Sequence, residues 1–275
     1  MLLSRDRPEG ADHLSDPRAS GSLVIVGTGI SVAGQVTIEA RAHMEQADKL
    51  LYLVADPATQ YWVRNLNPSA ESLDRFYGEN KKRLETYQGM VDRILAVVRE
   101  GGRVCVAFYG HPGVFVYPSH QAITRARAEG FDAHMLPGVS AEDCLFADLG
   151  VDPGTKGCQS FEATDFLVHR RRHDPHVALI LWQIAVIGDF DYRTDRMFNR
   201  TGVQVLVEVL GEHYSGDHEV VIYEAAQYPV CQPVIERVQL ADLPDSSITG
   251  ISTLYVPPCG GSTFDRSILE RLTAP

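Results

Sequence analysis

Arg83 and Tyr87 stand four residues apart in a stretch whose apolar positions Leu84, Tyr87, Val91, Ile94 and Val98 recur at three- and four-residue steps. That spacing predicts an amphipathic helix from Asn80 to Glu100, stopped by Gly101-Gly102, on which Arg83 and Tyr87 share a face. With Tyr77 a little upstream, the cluster offers a permanent cation and phenolic donors, side chains able to stabilise negative charge on an oxygen. Tyr87 is also part of the apolar stripe. From these residues alone, a core tyrosine beside a partly exposed arginine is the plainer reading.

Three loops could also carry chemistry. Tyr109-Gly-His-Pro-Gly-Val-Phe115 follows a predicted strand and so falls at the carboxyl end of a sheet, where open α/β folds bind ligands. Its glycines permit close backbone approach to a ligand, but an ordinary turn has the same composition. Leu136-Pro-Gly-Val-Ser-Ala-Glu-Asp-Cys144 opens a predicted helix with Ser140 near its N-cap. The free N–H groups there could hold a ligand's polar end, or simply Ser140 as a cap. Gly27-Thr28-Gly29 follows a strand, but position 32 is Val, so the third glycine of a dinucleotide fingerprint is missing and a tight turn is the better reading.

The elements that must position these residues alternate through the first half. Strands are predicted at Ser22–Val26, Leu50–Val54 (ending at Asp56-Pro57), Arg103–Tyr109 and Phe131–Met135, with helices at Val36–Ala47, Asn80–Glu100 and His120–Glu129. Such alternation implies a mostly parallel sheet covered on both faces. The second half has a helix at Ser140–Leu149 capped by Gly150, another at Val203–Glu212, and strands at Val177–Gln183, Glu219–Ala225, Pro233–Val238 and Ser252–Val256. Longer β-rich runs with fewer crossover helices predict a mixed sheet. The expected organisation is an α/β protein of two domains, 21–136 and 137–258, after a flexible segment 1–20 and before a tail 259–275.

Composition narrows the function classes. The 275 residues carry 25 basic and 36 acidic side chains, a formal charge of −11, with 44% hydrophobic and 8% aromatic content. An acidic chain has no general attraction to nucleic acid or an anionic membrane. Apolar stretches such as Val177–Trp182 are too short to span a bilayer, and no signal peptide is visible, so a cytoplasmic location is expected. Cys105, Cys144, Cys158, Cys231 and Cys259 lie far apart with no metal-ligand spacing, so reduced thiols and no metal are expected. The run His169-Arg-Arg-Arg-His173 reads as a solvated loop.

Taken in order, Val26-Gly-Thr-Gly-Ile30, Tyr109-Gly-His-Pro-Gly-Val-Phe115, Leu136-Pro-Gly-Val-Ser-Ala141, Tyr223-Glu-Ala-Ala226 and Ile251-Ser-Thr253 resemble the tetrapyrrole methylase superfamily. Phe76-Tyr77, Lys82-Arg83-Leu84-Glu-Thr-Tyr87, Gly110-His-Pro-Gly-Val-Phe115 and Pro137 to Leu149 resemble its borosin branch, the peptide-backbone α-N-methyltransferases. The resemblance runs from about Gly21 to Pro258. It implies two α/β domains with a cleft between them for S-adenosylmethionine, which leaves as S-adenosylhomocysteine. It also implies catalytic positions at Tyr77, Arg83, Tyr87 and Tyr109, with Tyr109 at the cofactor–substrate junction. Cofactor positions are implied at Tyr109, His111, Pro112, Val114, Phe115, Ser140, Ala141, Gln183, Tyr223, Ala225, Ala226, Ser252 and Thr253.

Such chemistry explains the residue types. A peptide nitrogen is a poor nucleophile because its lone pair is delocalised into the carbonyl. Methylation needs loss of the N–H proton and stabilisation of imidate-like charge on oxygen, which Arg83 and phenols in a desolvated pocket can supply. The expectation is that Arg83 and Tyr87 polarise the amide while Tyr77 or a water relays the proton. The expected partner is a separate precursor peptide with a C-terminal core, methylated iteratively by a homodimer, with no nucleic acid or membrane involved. Asp265, Arg266, Glu270 and Arg271 among Ile268, Leu269 and Leu272 suggest one short amphipathic helix in the tail rather than a self-methylated substrate. Two other readings remain: a methylase of a corrinoid or other small molecule, and a catalytically silent peptide-binding scaffold.

Overall fold

The computed structural model describes residues 21–54, 56–192, 197–261 and 264–274. The expected flexible segment 1–20 lies outside the described residues. Strands β1 (Gly21–Gly27), β2 (Lys49–Leu53), β3 (Glu71–Ser72), β4 (Gly102–Phe108) and β5 (Asp132–Met135) form a parallel sheet in the order β3-β2-β4-β1-β5. Alternation along the strands divides their side chains between two cores. Leu23, Ile25, Val104, Val106 and Phe108 pack under helices α3 (Arg83–Arg99) and α4 (Tyr117–Ala128). Val24, Val26, Leu50, Tyr52 and Cys105 pack under α1 (Ile38–Gln46) and α2 (Pro57–Leu66).

The crossovers from the parallel neighbours β1 and β4 leave in opposite directions: one continues through α1 toward β2, the other through α4 toward β5. Their carboxyl ends therefore frame the crevice where an open parallel sheet binds its ligand.

The second sheet follows α5 (Ala141–Leu149) and α6 (Pro153–Lys156). It contains β6 (Cys158–Glu162), β7 (Ala178–Trp182), β8 (Glu219–Glu224), β9 (Val234–Gln239) and β10 (Thr253–Val256), in the order β6-β7-β10-β8-β9. Only β6 and β7 are parallel; the other pairs are antiparallel, so the sheet is mixed. One face is covered by α7 (Ala163–Val168) and α8 (Arg200–Leu210), whose Phe166 and Leu206 join Val220, Ile222 and Leu254 of the strands in one buried core. The other face is covered by α5, whose Leu145 packs among Ile180, Trp182, Val221 and Tyr223. The last helix, α9 (Arg266–Thr273), is capped by Asp265 and buries none of its residues.

Several elements differ from the sequence expectation. The helix expected from Asn80 begins only at Arg83, because residues 80–82 pair with a distant segment and Asn80 is left-handed at φ 59°. The strand end expected at Asp56-Pro57 is also a helix start: the Asp56 carboxylate accepts the Ala58 and Thr59 N–H groups at 2.9 Å each, with Pro57 in the first turn. The basic run is partly neutralised, with Arg170 paired to Glu212 and Arg171 to Asp165. Among the described residues, no helix is long and apolar enough to cross a membrane.

Helix α3 is fastened to the sheet edge by Glu71 of β3. Its carboxylate accepts Arg93 Nε at 2.9 Å and Nη2 at 2.7 Å, and pairs with Lys49 Nζ at 2.9 Å. The Arg93 hydrogen bonds, aided by Lys49, hold the Glu71 carboxyl down from 4.5 to about 2. A depressed acid stabilises the fold above its unfolded pKa and loses that contribution as pH falls toward its folded one. Wild type should therefore lose stability relative to Glu71→Gln as pH drops from 4.5 toward about 2, measured by urea melts at each pH. Parallel pH profiles for the two proteins would refute this coupling.

Candidate active site

The two glycine loops meet by backbone packing. Gly29 N–H donates to Gly110 O at 3.3 Å and Gly110 N–H returns to Gly29 O at 3.0 Å. A Cβ on Gly27 would stand 2.2 Å from Gly110 O, and one on Gly138 would stand 3.3 Å from Pro112 Cδ. Glycine is thus required at position 27 for loop-on-loop contact, which accounts for the first loop as a tight turn.

Past Gly110 the chain forms one wall of a cavity of about 520 Å³. Tyr77, Arg83, Tyr87, Tyr109, Val114, Phe115 and Gln183 all line it. Phe115 and Gln183 have left-handed backbones at φ 55° and 60°, conformations that side chains adopt at a cost and that cluster at functional sites. Phe115 is propped on Trp182, ring centroids 5.4 Å apart. A second cavity of about 400 Å³ shares Arg83, Tyr87 and Gln183 and adds the exposed Leu84 and Phe190 at its rim.

Arg83 is the first residue of α3, where the helix dipole opposes a cation. Its Nε is buried and has no hydrogen-bond partner among the described residues. The position is set by the second half of the chain: Arg83 N–H donates to Phe190 O at 3.1 Å, Asn80 N–H to Tyr192 O at 3.0 Å, and Tyr192 N–H to Lys81 O at 3.0 Å. Burial pushes the Tyr77 phenol well above the ordinary 10, with Tyr87 adding to the rise and Arg83 opposing it. Burial likewise raises Tyr109, whose phenol is hydrogen-bonded to Gln227. Both are neutral near pH 7, as a free phenol is, and burial extends that neutrality to higher pH.

The remaining expected positions do not line this cavity. His111 Nδ1 accepts the Gly113 N–H at 2.9 Å, bracing the loop, and Pro112 is buried. Ser140 caps α5 in a reciprocal box with Asp143, and Ala141 begins that helix. Tyr223 is fully buried and donates to Asp148 at 2.7 Å. Ser252 donates to Glu224 at 2.5 Å, Thr253 pairs with Tyr223 across the strands, and Ala225 and Ala226 are half-buried just beyond β8. Residues neighbouring this group touch the segment after the first glycine loop, with Val32 N–H donating to Gln227 O at 3.0 Å and Gln35 Nε2 to Cys144 Sγ at 3.4 Å.

Asp74 and Tyr192 also line the 520 Å³ cavity and were not singled out from sequence. Tyr192 lies in no periodic element, so only its contacts identify it. The tyrosines, Phe115 and Asp74 that share this lining suit a sulfonium cation, since aromatic faces and a carboxylate both attract positive charge. The residues present therefore fit S-adenosylmethionine.

Residues 22–244 match the Tetrapyrrole (Corrin/Porphyrin) Methylases. The chain belongs to this family. The folds of a Thermus thermophilus uroporphyrin-III-C-methyltransferase (TM-score 0.61, 19% identity, 87% of this chain and 93% of that one) and a cobalt precorrin-4 methyltransferase (TM-score 0.62, 18% identity, 89% and 98%) are similar. Within the family it belongs with the borosin methyltransferases. It is 44% identical over 270 residues to a type I borosin methyltransferase/precursor of Coprinopsis marcescibilis, covering 95% of this chain and 68% of that protein. It is also 44% identical over 262 residues to the gymnopeptides methyltransferase/precursor of Gymnopus fusipes, covering 94% and 62%. The omphalotin A methyltransferase/precursor of Omphalotus olearius is 43% identical over 257 residues, covering 92% and 61%. The chain thus spans about six-tenths of the length of the last two relatives.

Burial makes a direct prediction for Tyr77. A titration of wild type minus Tyr77→Phe, followed by tyrosinate absorbance, should show position 77 still protonated at pH 10, where a free phenol is half ionised. Half-ionisation there would overturn the description of a desolvated phenol.

Proposed function

We propose that this chain is an S-adenosylmethionine-dependent α-N-methyltransferase that modifies backbone amides of a ribosomal precursor peptide. The observation that carries the reading is the buried Arg83 Nε, without a hydrogen-bond partner among the described residues, in a cavity ringed by tyrosines. A peptide carbonyl oxygen fits that donor, and imidate charge developing on it would strengthen the contact in a site with little water. The relatives named as methyltransferase/precursor proteins support peptide as the substrate class. The exposed rim at Leu84 and Phe190 allows a peptide supplied as a separate chain to reach Arg83. The same resemblance carries with it an iterative reaction by a homodimer in the cytoplasm.

Tyr109, Val114, Phe115 and Gln183 would hold the cofactor on the side of the cavity facing the His-Pro loop, with Ser140, Ala141, Tyr223, Ala225, Ala226, Ser252 and Thr253 beyond it. Bound there, S-adenosylmethionine would supply an electrophilic methyl group, with S-adenosylhomocysteine as the product. Arg83 and Tyr87 polarise the amide oxygen. Tyr77, neutral at working pH, takes the amide proton as it passes its own to water, so the N–H bond breaks while the N–CH₃ bond forms. Orientation of the nitrogen toward the methyl group supplies much of the acceleration.

Intact mass of a candidate precursor, incubated with enzyme and S-adenosylmethionine, should rise by successive methyl increments localised to backbone amides. Arg83→Ala and Tyr87→Phe should lower the rate by about 100-fold or more while cofactor binding by calorimetry persists. Gain on a corrinoid and none on peptide would sink the substrate assignment. Full activity in both variants would sink the roles of Arg83 and Tyr87.

A further inference from the structure

Tyr192 stands opposite Tyr77 across the cavity wall, ring centroids 5.1 Å apart and planes tilted by 44°. Its backbone is held on both sides, accepting from Asn80 N–H and donating to Lys81 O, each at 3.0 Å. The contact therefore brings a residue from the second half of the chain against a phenol of the first, at the point where Arg83 begins its helix. Tyr77 itself follows a short 3₁₀ turn, Asp74–Phe76, and one side of its ring packs against the core under α3. Tyr192 supplies a further ring contact, from the second half of the chain.

We infer that Tyr192 is a positioning residue for the proposed reaction: its ring packs on Tyr77 and directs that phenol into the cavity beside Arg83. The assignment rests on the peptide-methylation reading for its kinetic consequences, but not for the physical contact. The contribution is the aromatic face, because ring-to-ring contact is the observed interaction. The hydroxyl is dispensable. Groups facing Tyr77 besides Tyr192 are Arg83, Tyr87 and Asp74, and none of their side chains is altered by a substitution at 192.

Two variants and two readouts test this. Tyr192→Phe keeps the ring and should retain both the methylation rate and the titration of Tyr77. Tyr192→Ala should lower kcat by about 10- to 100-fold, with KM for the peptide unchanged, because the reacting groups are misplaced rather than the substrate lost. The same variant admits water to Tyr77, so the phenol should ionise at lower pH than in wild type, read as the difference from Tyr77→Phe/Tyr192→Ala. If Tyr192→Ala does not fold, Tyr192→Leu carries the same two expectations. Unchanged kcat and unchanged titration in the truncated variant would overturn the inference. So would a Tyr192→Phe as impaired as Tyr192→Ala, since the hydroxyl would then act directly. The titration needs no methyl transfer: a shifted Tyr77 in an enzyme that methylates no peptide would support the positioning role while refuting the proposed function.

Discussion

Backbone hydrogen bonds tie residues 80–83 to residues 190–192, and the candidate site depends on them. They stop the helical pattern of α3 from extending back to Asn80, so that Arg83 becomes the first helical residue instead of an interior one. They also bring Tyr192 and Phe190 from the second half of the chain to the edge of the cavity. Without that pairing the cavity would have a floor, made by β4 and the His-Pro loop, but no wall opposite. Backbone pairing suits this task because it is directional and independent of the side chains at those positions.

The floor comes from a different constraint. Two loops at the carboxyl ends of β1 and β4 must pack backbone to backbone, and Gly27 and Gly110 allow it. Parallel strands with opposite crossovers leave a crevice there by topology alone. Filling one side of it with Pro112 and the neighbouring glycines leaves Tyr109, Val114 and Phe115 facing the open side. The left-handed backbones of Phe115 and Gln183 are the local cost of presenting those side chains, and the surrounding sheets hold them there.

Electrostatically the site is unlike the rest of the surface. Exposed arginines such as Arg99 and Arg103 are paired with carboxylates, and Arg93 is fastened to Glu71. Arg83 instead has a buried nitrogen without a hydrogen-bond partner among the described residues, beside phenols that burial keeps protonated. A buried guanidinium nitrogen left without a hydrogen-bond partner is costly in the resting protein. The same arrangement favours any group that develops negative charge on oxygen, which is the basis of the proposed chemistry.

Sequence alone determined the alternation of strands and helices, the apolar stripe of α3 from Tyr87 onward, and the shared face of Arg83 and Tyr87, because these follow from periodicity over neighbouring residues. Leu84, expected in that stripe, is exposed at the rim of the second cavity. Motif order determined the family resemblance, which the matching relatives support. It did not reveal α2, whose start is set by a proline and an Asp56 cap that read equally well as a strand end. Nor did it reveal β6, a short strand without strong alternation that exists because β7 offers an edge to pair with. Tyr77 could be named from motif resemblance, but its desolvation depends on burial by residues far away in the chain. Tyr192 and Asp74 could not be named at all. Only the tertiary structure decided that two segments about 110 residues apart close one cavity, because pairing between distant backbones leaves no periodic trace in either segment.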